Sequence, residues 1–235
     1  MSYATSGYEV VDGVFRAEEI AAVRLAITDA LDRLARALIA PFERSRPDLP
    51  LDRRLEAVAR QDPSYASALY HAVLADAHLD PRVAALREHA GLRAVVEARM
   101  SGYRMTGTTL RLRANVPSLP LSRSRWHQDV ADETPTPYGC ETVRLACWVP
   151  LVDVDAQRGA LELIPGRYEA PFPHEGGEGG FFHIPEERLP KGRRVSVPMP
   201  LGSALLLDRL IPHQALPLQG DAARWSVVLW VKGRL

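Results

Sequence analysis

The chain has 235 residues, 46% of them hydrophobic and 25% charged, with 29 basic against 29 acidic side chains and a formal net charge of +0. That balance describes a globular protein able to bury a full core, and it excludes a general polyanion-binding surface, so nucleic acid is not an expected partner. No apolar run approaches the roughly 18 residues that span a bilayer, the N-terminal stretch lacks a signal peptide's apolar core, and the two cysteines, Cys140 and Cys147, lack CxxC spacing; the expectation is two free thiols in a reducing, cytoplasmic setting with no membrane partner.

No repeat or low-complexity linker divides the sequence, so residues 1–235 are expected to form one domain, with 1–100 mainly helical and 101–235 built of strands. Tyr8-Glu9-Val10-Val11 predicts a short strand. From Ala17 to about Ile39 the residues Ile20, Val23, Ile27, Leu31, Leu34 and Leu38 recur at three and four, which predicts an amphipathic helix. Asp62-Pro63 and Asp80-Pro81 each place a capping carboxylate before a first-turn proline, so two more helices are predicted there. Gly91 is expected to break the second of these, with a further turn or two running to Met100.

Beyond Ser101 the period changes to two. Leu110, Leu112, Ala114 and Val116 share one face of a strand from Thr108 to Val116, and Thr109, Arg111, Arg113 and Asn115 share the other. Further strands are predicted at Thr142–Leu151, Ala160–Ile164, Arg194–Met199, Ser203–Asp208 and Arg224–Val231, punctuated by Gly, Pro and Asp. Helices followed by strands give an α+β or mainly β class. A double-sheet jelly roll, cupin-like and buttressed by the N-terminal helices, would bring distant strands together. The apolar face of 108–116 is expected to pack on the helices, leaving the polar face to look into the barrel mouth. Between Pro171 and Pro190 the run Gly176 to Gly180, followed by Phe181 and Phe182, reads as a mobile lid or an uninvolved loop; the phenylalanines are candidate substrate contacts. Lys191, Arg193 and Arg194 are candidates to meet an anionic substrate tail.

The chemistry concentrates in His127-Gln128-Asp129, with His213 far downstream and Arg224-Trp225-Ser226 after it. Two imidazoles and a carboxylate take three adjacent positions on an Fe(II) ion and leave the others for a cosubstrate and O2. His-x-Asp suits an extended or turning segment, where residues i and i+2 point the same way. Only a fold that doubles back brings His213 to the same metal. Arg224 and Ser226 alternate onto one face of a return strand, where a guanidinium can grip the far carboxylate of a dicarboxylic keto acid. Arg111 and Arg113 read equally as cosubstrate or substrate contacts or as partners in structural salt bridges. His71, His78, His89, His174 and His183 read as surface or satisfied core residues.

At these residues the chain resembles the phytanoyl-CoA dioxygenase family of Fe(II)/2-oxoglutarate oxygenases. Trp126-His127-Gln128-Asp129 matches its metal motif; Leu145 to Leu151 with Gly159-Ala-Leu-Glu-Leu-Ile-Pro-Gly166 is similar to its central strand pair and turn; Gly202 to Asp208, His213 and Arg224 resemble the distal half of its site. The resemblance implies a double-stranded β-helix, iron held by His127, Asp129 and His213, and Arg224 on the 5-carboxylate of 2-oxoglutarate. It implies Trp148 in the cosubstrate pocket, Arg111 near a cosubstrate contact and Ser226 as the serine of an arginine-x-serine pair. Gln128, Arg113, Phe181 and Phe182 are the residues expected to touch substrate. Chain and family differ where Arg167-Tyr168 follows the turn and where Ala215 stands two after His213. Related halogenases replace the motif's carboxylate with a small residue; the carboxylate of Asp129 favours hydroxylation or another halide-free oxidation.

The implied reaction consumes O2 and 2-oxoglutarate, releases succinate and CO2, and oxidises a small-molecule metabolite or natural-product intermediate. Two other readings share the same residues: a cupin-like metal enzyme that does not use 2-oxoglutarate, and a non-catalytic jelly-roll binding module.

Overall fold

The computed structural model describes residues 2–38, 40–130, 134–136, 139–176 and 182–234, with no side chains at 134–136 and 139–142. In chain order the helices are α1 (Tyr3–Ser6), α2 (Ala17–Ala37), α3 (Leu51–Gln61), α4 (Pro63–Asp76), α5 (Pro81–Ala84) and α6 (Ala90–Glu97). The strands are β1 (Tyr8–Val11), β2 (Arg104–Asn115), β3 (Thr134–Thr136), β4 (Gly139–Pro150), β5 (Leu161–Leu163), β6 (Glu175–Gly176), β7 (Phe182–His183), β8 (Val195–Val197), β9 (Ala204–Asp208), β10 (His213–Ala215) and β11 (Arg224–Arg234). Among the described residues no helix is long and apolar enough to cross a membrane.

The large sheet runs β1-β9-β4-β11-β2, with β3 paired to β4, and a smaller sheet runs β10-β5-β8. All the strand pairs are antiparallel. Strand alternation divides the large sheet's side chains between two cores. Leu110, Leu112, Cys147, Val149, Leu206, Val227 and Leu229 pack on α2, α3, α4 and α6. Trp148, Leu205 and Leu207 meet Leu161, Leu163 and Val197 of the smaller sheet. The result is a two-layer jelly roll with helices laid on the outer face of its larger layer. The apolar side of 108–116 does face the helices.

The two Asp-Pro starts hold: Asp62 accepts from the Tyr65 amide at 3.0 Å and Asp80 from the Arg82 amide at 2.9 Å. Gly91 does not end a helix. The break comes earlier, at His89, whose extended backbone and Nδ1, accepting from the Leu92 amide at 3.1 Å, start α6. A side chain on Gly91 would come within 3.0 Å of that capping ring, so the glycine makes room for the cap. Helix α3 was missed because Pro50 gives it no side-chain cap; the Leu51, Leu55, Val58 spacing is its signal. Strand β10 is too short to carry a period.

Helix α3 also fixes loops beside the cleft. Asp52 binds Arg24 through both oxygens, at 2.9 and 2.8 Å, while its carbonyl accepts from the Ala223 amide, the residue before Arg224, at 2.6 Å. Buried Glu56 accepts from the Ser118 amide and hydroxyl at 2.8 and 2.7 Å. Cys147 is buried and free, and burial pushes its thiol pKa well up; the Cys140 side chain lies outside the described residues.

Candidate metal centre and cosubstrate cleft

His127 is joined to His213 by a β-bridge, each amide donating to the other's carbonyl at 2.9 Å. The segment carrying His-x-Asp thereby extends the smaller sheet beside β10. The ring centroids of the two histidines are 4.2 Å apart, and His213 Nε2 is 3.7 Å from Asp129 Oδ2. One ligand atom from each of His127, Asp129 and His213 lies within 4.8 Å of the others. Both rings are oriented from behind. His127 Nδ1 faces the Arg125 carbonyl at 2.7 Å and His213 Nδ1 the Ile211 carbonyl at 3.0 Å, contacts that place the proton on Nδ1 and turn Nε2 to the centre. Burial, and then the neighbouring His213, hold the His127 pKa well below the ordinary imidazole value, so the ring is neutral and able to ligate.

The opposite wall comes from the large sheet. Arg224 and Ser226 are buried on β11, and the Arg224 guanidinium lies 4.9 Å from the Trp148 ring centroid on β4. Burial pushes the Arg224 pKa down to about 10, partly offset by Tyr70 of α4; it remains a cation at neutral pH. Its Nε and Nη1, and the Ser226 hydroxyl, are buried without a hydrogen-bond partner. An orphaned guanidinium costs free energy unless an anion meets it. Three convergent atoms able to ligate a metal, across the cleft from buried donors that lack partners, fit a metal-chelating dicarboxylate.

A model of the phytanoyl-CoA dioxygenase sequence family matches residues 3–226. The chain belongs to that family, one of Fe(II)/2-oxoglutarate-dependent oxygenases. Among curated protein sequences no significant match was found. The fold of this family member is similar to solved structures across nearly its whole length. The non-heme monooxygenase ThoJ matches with a TM-score of 0.60 at 16% identity, covering 98% of this chain and 75% of that one. EvdO2 from Micromonospora carbonacea var. aurantiaca, complexed with 2-oxoglutarate, gives 0.56 at 17%, covering 99% and 88%. The epimerase SnoN, in complex with Fe3+, alpha ketoglutarate and nogalamycin RO, gives 0.55 at 21%, covering 98% and 80%. At such identities the likeness is one of fold, and it agrees with the jelly roll expected from the sequence.

In this phytanoyl-CoA dioxygenase family member the cleft brings together His127, Asp129, His213, Arg224, Ser226 and Trp148, with Arg113 at its edge. Arg111 is exposed and outside the lining. Gln128 is also outside it: its amide nitrogen donates to the Leu210 carbonyl, and its oxygen accepts from the Phe172 amide at 2.7 Å. Both ends of that side chain are therefore spent on neighbouring loops. Phe182 lines an outer chamber beside His127 and Asp129; Phe181 lies outside the described residues, as do 177–180 of the segment read as a lid. Arg123, Arg125, Trp230 and His183 also line the outer chamber and were not among the predicted site residues. The two arginines stand two and four residues ahead of His127, a spacing that signals them once that segment is known to be extended.

Proposed function

We propose that the protein is an Fe(II)- and 2-oxoglutarate-dependent dioxygenase that hydroxylates a small-molecule metabolite or natural-product intermediate. The observation that carries this reading is the buried pair Arg224 and Ser226, whose donors lack partners and face three metal-ligand atoms. His127, Asp129 and His213 would hold the metal on one face. Arg224 and Ser226 would grip the far carboxylate of 2-oxoglutarate, with Trp148 as one wall of its pocket. When bound, iron supplies the redox chemistry: O2 is split between substrate and keto acid, giving hydroxylated product, succinate and CO2.

The residues themselves position and desolvate. The carbonyls of Arg125 and Ile211 keep both imidazoles in the ligating tautomer. Leu161, Leu207 and Val228 add apolar wall to the inner cleft, and Arg224 itself is buried, so its charge acts in a medium less polar than water. The reading takes residues 1–235 as one catalytic domain. The helical layer shares a core with the large sheet, and α3 holds the residue before Arg224.

The test is anaerobic addition of Fe(II) and 2-oxoglutarate to the full chain, following the weak visible charge-transfer absorption of a chelated keto acid. It should appear in the wild type, vanish in His127→Ala and weaken in Arg224→Ala. Well-folded, iron-loaded protein without the band would overturn the 2-oxoglutarate reading and favour a cupin-like enzyme that dispenses with it. Succinate release with substrate distinguishes an oxygenase from a binding module.

A further inference from the structure

The outer chamber differs in chemistry from the inner cleft it opens from. The two share Arg113, Ser124, His127, Asp129 and Trp230 and are therefore continuous. Around the outer space stand three guanidinium groups, Arg113, Arg123 and Arg125. Asp129 is the one carboxylate among its described lining residues, and it faces His213 in the metal-ligand cluster.

Several arginines elsewhere are anchored, Arg24 to Asp52, Arg54 to Asp32 and Arg99 to Glu9, whereas Arg111, like two at this chamber, is not among the described residues. Arg123 and Arg125 have no side-chain hydrogen bond or ion pair among the described residues. Yet the backbone that carries them is held firmly. The Ala215 amide donates to the Ser124 carbonyl at 3.0 Å, His127 Nδ1 contacts the Arg125 carbonyl at 2.7 Å, and the Ile184 amide donates to the Trp126 carbonyl at 2.7 Å. Two open cations on a fixed segment beside the metal-ligand cluster make a preorganised anion clamp, since little backbone order remains to be lost on binding. The remaining wall is aromatic. Phe182 is 69% exposed, and it lines this chamber with Trp230. An aromatic side chain left this open beside a cleft suits the flat or apolar body of a bound molecule.

We infer that the outer chamber selects an anionic small molecule: a carboxylate or phosphate ester held by Arg123 and Arg125, on a flat apolar body that lies against Phe182 and Trp230. Its reacting carbon is then presented beside His127 and Asp129. This deepens the oxygenase reading and rests on it for what happens at that carbon.

The test uses three probes of one shape, 2-naphthoate, 2-naphthyl phosphate and neutral 2-naphthamide. Each is titrated by calorimetry into full-length protein saturated with Mn(II) and 2-oxoglutarate. Both anions should bind about tenfold tighter than the amide, with that preference falling as salt rises. Arg123→Gln/Arg125→Gln should erase the preference while leaving the thermal midpoint and the separately measured 2-oxoglutarate affinity unchanged. Phe182→Ala should weaken all three probes alike. The tighter of the two anions identifies the headgroup. Equal binding of anions and amide would overturn the inference. So would an anion preference that survives in the double variant, or one lost only in Arg224→Met, which would place the probe in the inner cleft. If wild-type protein fails to bind 2-oxoglutarate, the oxygenase reading falls, and the naphthyl series still decides the chamber.

Discussion

The two faces of β11 are built to opposite specifications. Toward the helices, Trp225, Val227, Leu229 and Val231 are all essentially fully buried in the larger core. Toward the smaller sheet the same strand presents Arg224, Ser226, Val228 and Trp230 to the cleft. The first face spends its polar groups sparingly, Trp225 Nε1 being its one orphan among the described residues. The second leaves Arg224 Nε, Arg224 Nη1 and the Ser226 hydroxyl without partners. Because strand side chains alternate, tight packing on the first face sets the register and depth of the second. One face supplies stability, and the other holds a cation in a place where it is costly until an anion arrives.

Substitution on each face should separate these roles. Trp225→Ala, which empties a fully buried site, should cost about 3–5 kcal/mol of stability, read from the denaturant midpoint. Arg224→Met keeps much of the volume and removes the buried charge, so its midpoint should stay level or rise. Its 2-oxoglutarate affinity should fall by about a hundredfold, the loss of a charge-assisted bidentate contact. A drop in midpoint for Arg224→Met as large as that for Trp225→Ala would show that both faces are structural, and the contrast would collapse.

A smaller effect should appear on acidification. The pKa of His127 is lowered from 6.5, by burial first and His213 second. Below pH 6.5 the unfolded chain therefore binds a proton that the folded chain refuses, and stability is lost as pH falls toward the lowered value. The metal-free wild type should show this decline in its thermal midpoint below pH 6.5. His127→Gln should flatten it, and bound metal, which also needs the neutral ring, should shift it to lower pH. An unchanged slope in His127→Gln would place the titrating group elsewhere.

The sequence carried the large-scale order well because its signals there are physical and local. Period two in 108–116 marked which side of β2 meets the helices, and the Asp-Pro caps marked two helix starts. The grouping of His127, Asp129 and His213 as candidate metal ligands was legible from residue type and family resemblance. The bridge that joins His127 to His213 was not, because it links positions far apart through a strand of three residues. Gln128 was misjudged for a related reason. Its neighbours in sequence are metal-ligand candidates, but its own side chain turns to Leu210 and Phe172, partners that only the folded chain brings near. Arg123 and Arg125 were passed over because Pro120 and Ser122 interrupt the alternation before them.

The polar side of β2 offers the finest form of the contrast. Arg111 and Arg113 project from the same side of one strand two residues apart, opposite Val228 and Ser226 respectively on β11. Exposure changes over that step: Arg113 is half-buried and borders both chambers, whereas Arg111 is exposed and borders neither. Arg111 borders no chamber that would hold an anion near it, while Arg113 at the cleft edge acts through a less polar medium. Arg113→Gln should therefore weaken 2-oxoglutarate binding by about tenfold. Arg111→Gln should change that affinity by less than about twofold and stability by no more than about 0.5 kcal/mol. A loss of 2-oxoglutarate affinity in Arg111→Gln matching that in Arg113→Gln would move the edge of the cleft one strand repeat outward.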